Sequence, residues 1–165
     1  YVPQLIQINS RKTTLINQSF TATTPINEYK IKTSLLGRHQ IENISLSILA
    51  AEMLIQNNYK ISKENIEKGI AKAAWPGRLQ IIKKHTNSYF IDSAHNWHST
   101  NQLIKSLKEI QNTKFILIFG ASSGHSYKKS VNSLASISKK IYFVKSRHPK
   151  AIPTSDLINS IDKKK

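Results

Sequence analysis

The stretch Phe115-Ile116-Leu117-Ile118-Phe119 is apolar at every position. A strand of this kind is expected where both faces of a sheet are covered, as in parallel α/β sheets. Helical periodicity precedes it over residues 99–110 and follows it over residues 129–138, and a further strand is expected at residues 141–144. This alternation of strands and helices predicts a parallel, Rossmann-like α/β sheet.

The N-terminal part of the chain has a different pattern. Residues 6–8 and 29–33 alternate between apolar and polar side chains, which predicts half-buried strands. Isoleucines three and four residues apart then predict a helix over residues 40–57. A second helix is expected to begin after Ser62, whose hydroxyl suits an N-cap. This part is therefore predicted to combine short strands with two helices.

Trp75-Pro76-Gly77 interrupts both patterns. Proline stops the preceding helix, and glycine adopts backbone angles that other residues avoid. We therefore expect a domain boundary here, with one domain at residues 1–76 and a second at residues 77–165, the second truncated.

The composition limits the function classes. Lys and Arg number 25 against nine Asp and Glu, a net charge of +16, but the lysines are spread along the chain and the aromatic residues are not interleaved with them. We therefore expect no nucleic acid as partner, and a basic, non-catalytic nucleic-acid-binding module stays as an alternative. The absence of cysteine excludes disulfides and thiolate metal sites.

The same composition bears on location. No apolar run approaches the length of a membrane span, so we expect no membrane partner. The abundance of Lys, Asn and Ile is typical of AT-rich genes. We expect a monomer in the cytoplasm, or in the plastid stroma if the gene is organellar.

Residues suited to ligand binding follow two predicted strands. Strands at residues 79–83 and 89–92, joined by a turn at residues 86–88, lead into Asp92-Ser93-Ala94-His95-Asn96, and residues 120–124 follow the apolar strand. Ligands of α/β sheets bind at the carboxyl ends of strands. A carboxylate there can accept from ribose hydroxyls, and an imidazole can donate to phosphate. The alternatives are a capping aspartate, a histidine that only fixes the loop, and a tight turn at residues 120–124.

Three segments are more informative together than singly. Gly37-Arg38-His39-Gln40-Ile41-Glu42-Asn43 opens a helix, and Trp75-Pro76-Gly77-Arg78-Leu79 and Asp92-Ser93-Ala94-His95-Asn96 follow in that order. This set resembles the folylpolyglutamate synthase and dihydrofolate synthase family of the Mur ligase superfamily, with its helix start G-x-H-Q-x-x-N, its W-P-G-R-L segment and its D-G-A-H-N loop.

The resemblance implies an α/β protein: the end of a Mur-ligase-type central ATPase domain, then a Rossmann-like glutamate-ligase domain. It implies ATP-dependent ligation of L-glutamate to folate or dihydropteroate through an acyl phosphate, with Mg²⁺. By analogy, Asn43 would lie beside adenine, Arg78 would reach the phosphates and Asp92 would bind the ribose. His95 would be the catalytic residue, near glutamate or the γ-phosphate, and no metal ligand is assigned within the chain.

Several positions depart from the family pattern. Ser93 stands where the family has glycine, which a loop tolerates if no positive φ is needed there. Gly124-His125-Ser126 replaces an acidic segment. The P-loop and the magnesium ligands of the family are expected upstream of Tyr1, so we expect the chain alone to be inactive. A cell-wall Mur ligase fragment and an inactive remnant are the alternatives within this superfamily.

Overall fold

An antiparallel meander begins the chain in the computed structural model, which describes residues 5–111, 113–123 and 127–161. Its strands are β1 (Gln7–Thr13), β2 (Gln18–Thr23) and β3 (Glu28–Thr33), with β2 in the middle. The strands predicted at residues 6–8 and 29–33 are thus confirmed. In β2 and β3 every second residue is buried, because one face of the sheet is covered and the other is not.

The two hairpin turns of the meander are built alike. Thr14 N–H donates to the Asn17 carbonyl at 2.8 Å, and Thr24 N–H donates to the Asn27 carbonyl at 2.9 Å. In each turn the threonine hydroxyl also accepts from the asparagine N–H, at 3.1 Å and 3.0 Å. Threonine side chains that bond to the following backbone in this way favour turns over continued strand.

Helices α1 (Arg38–Gln56) and α2 (Lys63–Lys72) complete the covered side of the first unit. Both were predicted. Ser62 caps α2 by accepting from the Asn65 N–H, and the Asn65 side chain accepts from the Ser62 N–H in return. Buried side chains of the sheet and of the two helices form one apolar cluster, which includes Phe20, Tyr29, Ile31, Ile44, Ile48, Ile66 and Ile70.

The hairpin of β4 (Gln80–Lys84) and β5 (Asn87–Ile91) ends the first unit, Tyr1–Asp92. The predicted turn at residues 86–88 is wrong, because Asn87 pairs with Lys84 and the connection is the two-residue loop of His85 and Thr86. His85 has a φ of 53°, as short hairpin loops require.

The second unit, Ser93–Lys165, is an α/β arrangement. It contains α3 (Trp97–Ile110), β6 (Phe115–Phe119), α4 (Tyr127–Ser136), β7 (Ser138–Phe143) and α5 (Thr154–Asn159). β6 and β7 pair in parallel across the α4 crossover, as the sequence predicts. No helix among the described residues is long and apolar enough to cross a membrane.

One face of the β6–β7 pair is exposed. Ile116 and Ile118 retain 66% and 70% of their accessible surface, whereas Phe115, Leu117 and Phe119 on the other face are half-buried. The expectation that both faces of β6 are covered is therefore wrong for the part of the chain that the structure describes.

Gly120 follows β6 for a steric reason. A Cβ atom at this position would lie 2.8 Å from the carbonyl oxygen of Val144, at the end of β7. The Val144 N–H donates to the Phe119 carbonyl at 2.9 Å, so the two strand ends are drawn together. The structure thus accounts for this glycine by backbone packing. Gly124, His125 and Ser126 lie outside the described residues.

Candidate functional site

The Trp75-Pro76-Gly77-Arg78-Leu79 segment forms a turn, called here the hinge turn, with two residues in the left-handed region. Gly77 has a φ of 73°, which glycine adopts without strain. Leu79 has a φ of 42° although it carries a side chain, and that side chain is 2% exposed. A buried non-glycine residue in this region is strained and persists only when its surroundings hold it.

Side chains and backbone satisfy the amides of the hinge turn. The Gly77 N–H donates to the Gln80 Oε1 atom at 3.1 Å, and the Arg78 N–H donates to the Trp75 carbonyl at 3.3 Å. The Leu79 N–H donates to the Asp92 Oδ2 atom at 2.7 Å. Each of these three consecutive N–H groups thus has an acceptor within the protein, and Arg78 is the residue among the three whose side chain can donate to an anion at the turn.

Arg78 is half-buried, and its guanidinium makes no hydrogen bond or ion pair with the described residues. The residue lines a cavity of about 180 Å³ with Trp75, Leu36 and Ile16. A guanidinium can bind two oxygens of a phosphate or carboxylate at once. The geometry is therefore compatible with the predicted role of Arg78 at phosphates, which stays a prediction.

Asp92 and Arg78 are brought together through Leu79. Asp92 follows the last residue of β5, and the bond from its carboxylate to the Leu79 N–H ties the end of the hairpin to its beginning. One carboxylate oxygen thus has a structural partner, whereas the sequence suggested only a ligand contact or a cap. Neither the periodicity nor the spacing of the residues carries a signal for this bond.

Asn43 lies on the exposed side of α1, between the inward Ile41 and Ile44. Its side-chain amide donates to the Gln40 Oε1 atom at 3.2 Å. In the described part of the chain no hydrogen bond joins Asn43 to Arg78 or Asp92. Its predicted place beside adenine stays a prediction.

Gln18 is a positioning residue that the sequence reasoning missed. It is fully buried at the start of β2, and its side-chain amide donates to the carbonyls of Leu35 at 2.6 Å and Gly37 at 3.2 Å. These bonds fix the segment from which α1 begins. A glutamine at an inward position of an alternating strand is the signal that could have identified it.

His95 and its loop belong to the second unit. The His95 Nδ1 atom lies 3.3 Å from the carbonyl oxygen of Ser93, a contact in which Nδ1 donates when it carries a proton. His95 is exposed, and Asn96 after it caps α3 by accepting from the Ser99 N–H at 2.9 Å. Ser93 does not have a positive φ, which explains why serine is tolerated where the family has glycine. The catalytic role of His95 stays a prediction.

Metal-binding side chains are not clustered in the described residues. No group of three or more His, Asp or Glu side chains there could hold a metal ion. The expectation that no metal ligand lies within this chain stays a prediction.

Comparisons with known proteins relate the chain to ligases. The family model described as "Mur ligase, glutamate ligase domain" matches residues 77–165. The dihydrofolate synthase/folylpolyglutamate synthase of Bacillus subtilis is 37% identical over 132 residues, which are 79% of this chain and 30% of that protein. An L-lysine-adding UDP-N-acetylmuramoyl-L-alanyl-D-glutamate ligase of Streptococcus sanguinis is 36% identical over 103 residues, 61% of this chain and 20% of that protein. The chain thus spans less than a third of the length of these relatives.

Solved structures show the same fold. Mycobacterium tuberculosis folylpolyglutamate synthase complexed with ADP superposes with a TM-score of 0.81 at 19% identity, over 94% of this chain and 34% of that one. Folylpolyglutamate synthetase from Lactobacillus casei superposes with a TM-score of 0.73 at 25% identity, over 85% of this chain and 34% of that one. The predicted α/β fold class with a Rossmann-like ligase domain is confirmed, whereas the assignment of residues 1–76 to the end of a central ATPase domain stays a prediction.

Proposed function

Because the chain belongs to the Mur ligase family through a glutamate ligase domain at residues 77–165, we propose that it is part of an ATP-dependent ligase that joins L-glutamate to folate or dihydropteroate. The observation that carries this proposal is the 37% identity to the B. subtilis folate enzyme over 79% of the chain. The likeness to the cell-wall ligase is of similar identity but extends over 61% of the chain.

The proposed reaction has two steps. The γ-phosphoryl group of ATP passes to a carboxylate oxygen of the folate, which gives ADP and an acyl phosphate. The glutamate amine then attacks the acyl carbon, loses a proton and expels inorganic phosphate as the amide forms. Both steps develop negative charge on phosphate oxygens, which a fixed guanidinium stabilises.

Arg78 is the residue of this chain that we assign to that charge. Its guanidinium has no hydrogen-bond or ion-pair partner among the described residues, and the adjacent backbone N–H groups have acceptors within the protein. We assign Asp92 to the ribose hydroxyls and Asn43 to the adenine edge. A carboxylate accepts from hydroxyls, and an amide matches a base that carries both donors and acceptors.

His95 is assigned to the second step. An imidazole nitrogen that carries no proton can accept one from the incoming ammonium group of glutamate. Deprotonation of that group is required before the amine attacks. When Mg²⁺ is bound in such a ligase, it screens the phosphate charges.

The test is the choice of acceptor substrate. The native polypeptide is purified and given ATP, Mg²⁺ and L-glutamate with dihydropteroate, with tetrahydrofolate, or with a UDP-N-acetylmuramoyl peptide and L-lysine. We expect ADP release, and a product heavier by one glutamate residue, only in the reactions that contain dihydropteroate or tetrahydrofolate. ADP release with the UDP-linked substrate alone would instead support the cell-wall ligase, which the S. sanguinis likeness favours as the second candidate.

A further inference from the structure

The bond between Asp92 and Leu79 assigns Asp92 a second task. We infer that Asp92 is a positioning residue, whose carboxylate holds the strained hinge turn and thereby fixes the backbone that carries Arg78. This inference rests on the proposed function, because it matters for turnover only if Arg78 acts on phosphates.

Leu79 has a backbone conformation that its surroundings must hold. A leucine with a φ of 42° has its Cβ close to its own backbone, so this conformation needs external support. Its N–H donates to the Asp92 Oδ2 atom at 2.7 Å, a short hydrogen bond to a side-chain carboxyl oxygen. The Leu79 side chain is 2% exposed, which anchors the same residue on its other side. Leu79 is thus held at both its amide and its side chain.

Arg78 lies between two residues whose backbone N–H groups are hydrogen-bonded to side chains. Gly77 is held by the Gln80 side chain at 3.1 Å and Leu79 by the Asp92 side chain at 2.7 Å. The backbone of Arg78 therefore has little freedom to rotate. Its guanidinium has no partner among the described residues, so the direction of the side chain depends on this backbone.

The Asp92 carboxylate has two oxygens that can accept hydrogen bonds. Oδ2 accepts from the Leu79 N–H, and the second oxygen of the same group has its own lone pairs. If Asp92 also accepts from a ribose hydroxyl, one rigid group connects the nucleotide to the hinge turn. Nucleotide binding and the placement of Arg78 would then be coupled through a single side chain.

Two substitutions separate the positioning role from simple ligand binding. Asp92→Ala removes the acceptor for the Leu79 N–H. Asp92→Asn keeps one carbonyl oxygen that can accept it, and so should rescue the turn. Asp156→Asn removes an exposed carboxylate of the second unit and serves as the charge-matched control.

The first measurement is amide hydrogen exchange by NMR on the 165-residue chain. We expect the Leu79 amide to exchange about tenfold faster in Asp92→Ala than in the unsubstituted chain, with Asp92→Asn and Asp156→Asn close to the latter. Exchange of the β2 amides reports whether each variant is folded. A Leu79 amide that is unprotected in the unsubstituted chain would overturn the inference without any variant, as would equal exchange in Asp92→Ala.

The second measurement is the ratio of ADP to adenosine affinity. Because Arg78 acts on phosphates, its misplacement in Asp92→Ala should reduce this ratio about tenfold, and Asp92→Asn should preserve it. A merely structural Asp92 would lower the unfolding free energy and leave the ratio unchanged, which would contradict the inference. If the unsubstituted chain binds no ADP, the assignment of Arg78 to nucleotide phosphates fails, and the exchange rate of the Leu79 amide still decides whether Asp92 holds the turn.

Discussion

The meander of the first unit and the parallel strand pair of the second bury their apolar residues to different extents. In β2 and β3, the inward Ala22 and Tyr29 have no exposed surface, because α1 and α2 cover that face. In β6, Ile116 and Ile118 are more than 60% exposed, although the strand is apolar at every position. The comparison shows that an apolar run indicates how many faces a strand can bury, whereas the covering elements decide how many it does bury.

The largest effect is expected from shortening a buried side chain in the apolar cluster of the first unit. Ile48 in α1 has no exposed surface and belongs to the apolar cluster. Ile48→Ala should lower the free energy of unfolding by about 3 kcal/mol through lost burial and a cavity. Urea unfolding followed by circular dichroism measures this. The control is Leu46→Ala on the same helix, where the side chain is 52% exposed. Equal losses for the two variants would contradict the description of the covered face.

The second effect concerns a buried carboxylate in the same unit. Glu52 is 4% exposed and accepts from the Tyr29 hydroxyl at 2.8 Å and from the Thr24 hydroxyl at 2.6 Å. Glu52→Ala leaves both hydroxyls without this acceptor and should cost about 2–3 kcal/mol of unfolding free energy. Glu42→Ala, at an exposed position of α1, should change the free energy by less than about 0.5 kcal/mol. A loss in Glu52→Ala no larger than in this control would contradict the assigned bonds.

The hydrogen bond from Tyr29 to Glu52 predicts that the stability of the protein depends on pH in the alkaline range. Burial, and then the hydrogen bond to Glu52, raise the pKa of Tyr29 from 10.0 to about 12. As the pH rises, the Tyr29 hydroxyl loses its proton in the unfolded chain before it does so in the folded chain. The contribution of this group to the free energy of unfolding is therefore complete below pH 10, and roughly 2 kcal/mol of it is lost as the pH rises toward 12. The free energy of unfolding of Tyr29→Phe should therefore decline less over this pH range. If the free energy of unfolding falls by the same amount in the two proteins between pH 9.5 and 11.5, the Tyr29 hydroxyl is not buried beside Glu52.

The smallest effect is expected on the exposed face of the second unit. Ile118→Thr keeps a β-branched residue in β6 and should change the unfolding free energy by less than about 0.5 kcal/mol. Leu134→Ala in α4, where the side chain is 4% exposed, is the buried counterpart and should cost about 3 kcal/mol. A loss of more than about 2 kcal/mol in Ile118→Thr would show that the face is covered in solution, and the comparison of the two units would fail.

The start of α2 was predictable because capping is local. Ser62 was recognised from a hydroxyl before an apolar stripe, and the structure confirms its capping bond. The hairpin turn was misplaced because Asn87 and Ser88 favour turns by composition, whereas the pairing of Lys84 with Asn87 leaves only His85 and Thr86 to connect the strands.

The family was also predictable, and the match over residues 77–165 confirms it. Three ordered motifs carried that resemblance. The bond from Leu79 to Asp92 was not predictable, because it depends on a left-handed backbone that no side-chain pattern specifies. The roles of Asn43, Arg78, Asp92 and His95 stay predictions.

The domain boundary expected between residues 76 and 77 also stays a prediction. The family match begins at residue 77, whereas the two units divide after Asp92. The β4–β5 hairpin is the segment on which these two descriptions differ. Its register across five residue pairs makes it a continuous element, so it belongs to one domain or the other as a whole.

The most direct test of the central claim is the affinity of the chain for ADP, with and without the guanidinium at position 78. Isothermal titration compares the unsubstituted chain with Arg78→Ala and with Lys84→Ala, which removes an exposed positive charge from the neighbouring hairpin. We predict that Arg78→Ala raises the dissociation constant about tenfold or more, since it removes a charged, bidentate phosphate contact, and that Lys84→Ala changes it less than about twofold. An equal dissociation constant for Arg78→Ala and the unsubstituted chain would contradict the account.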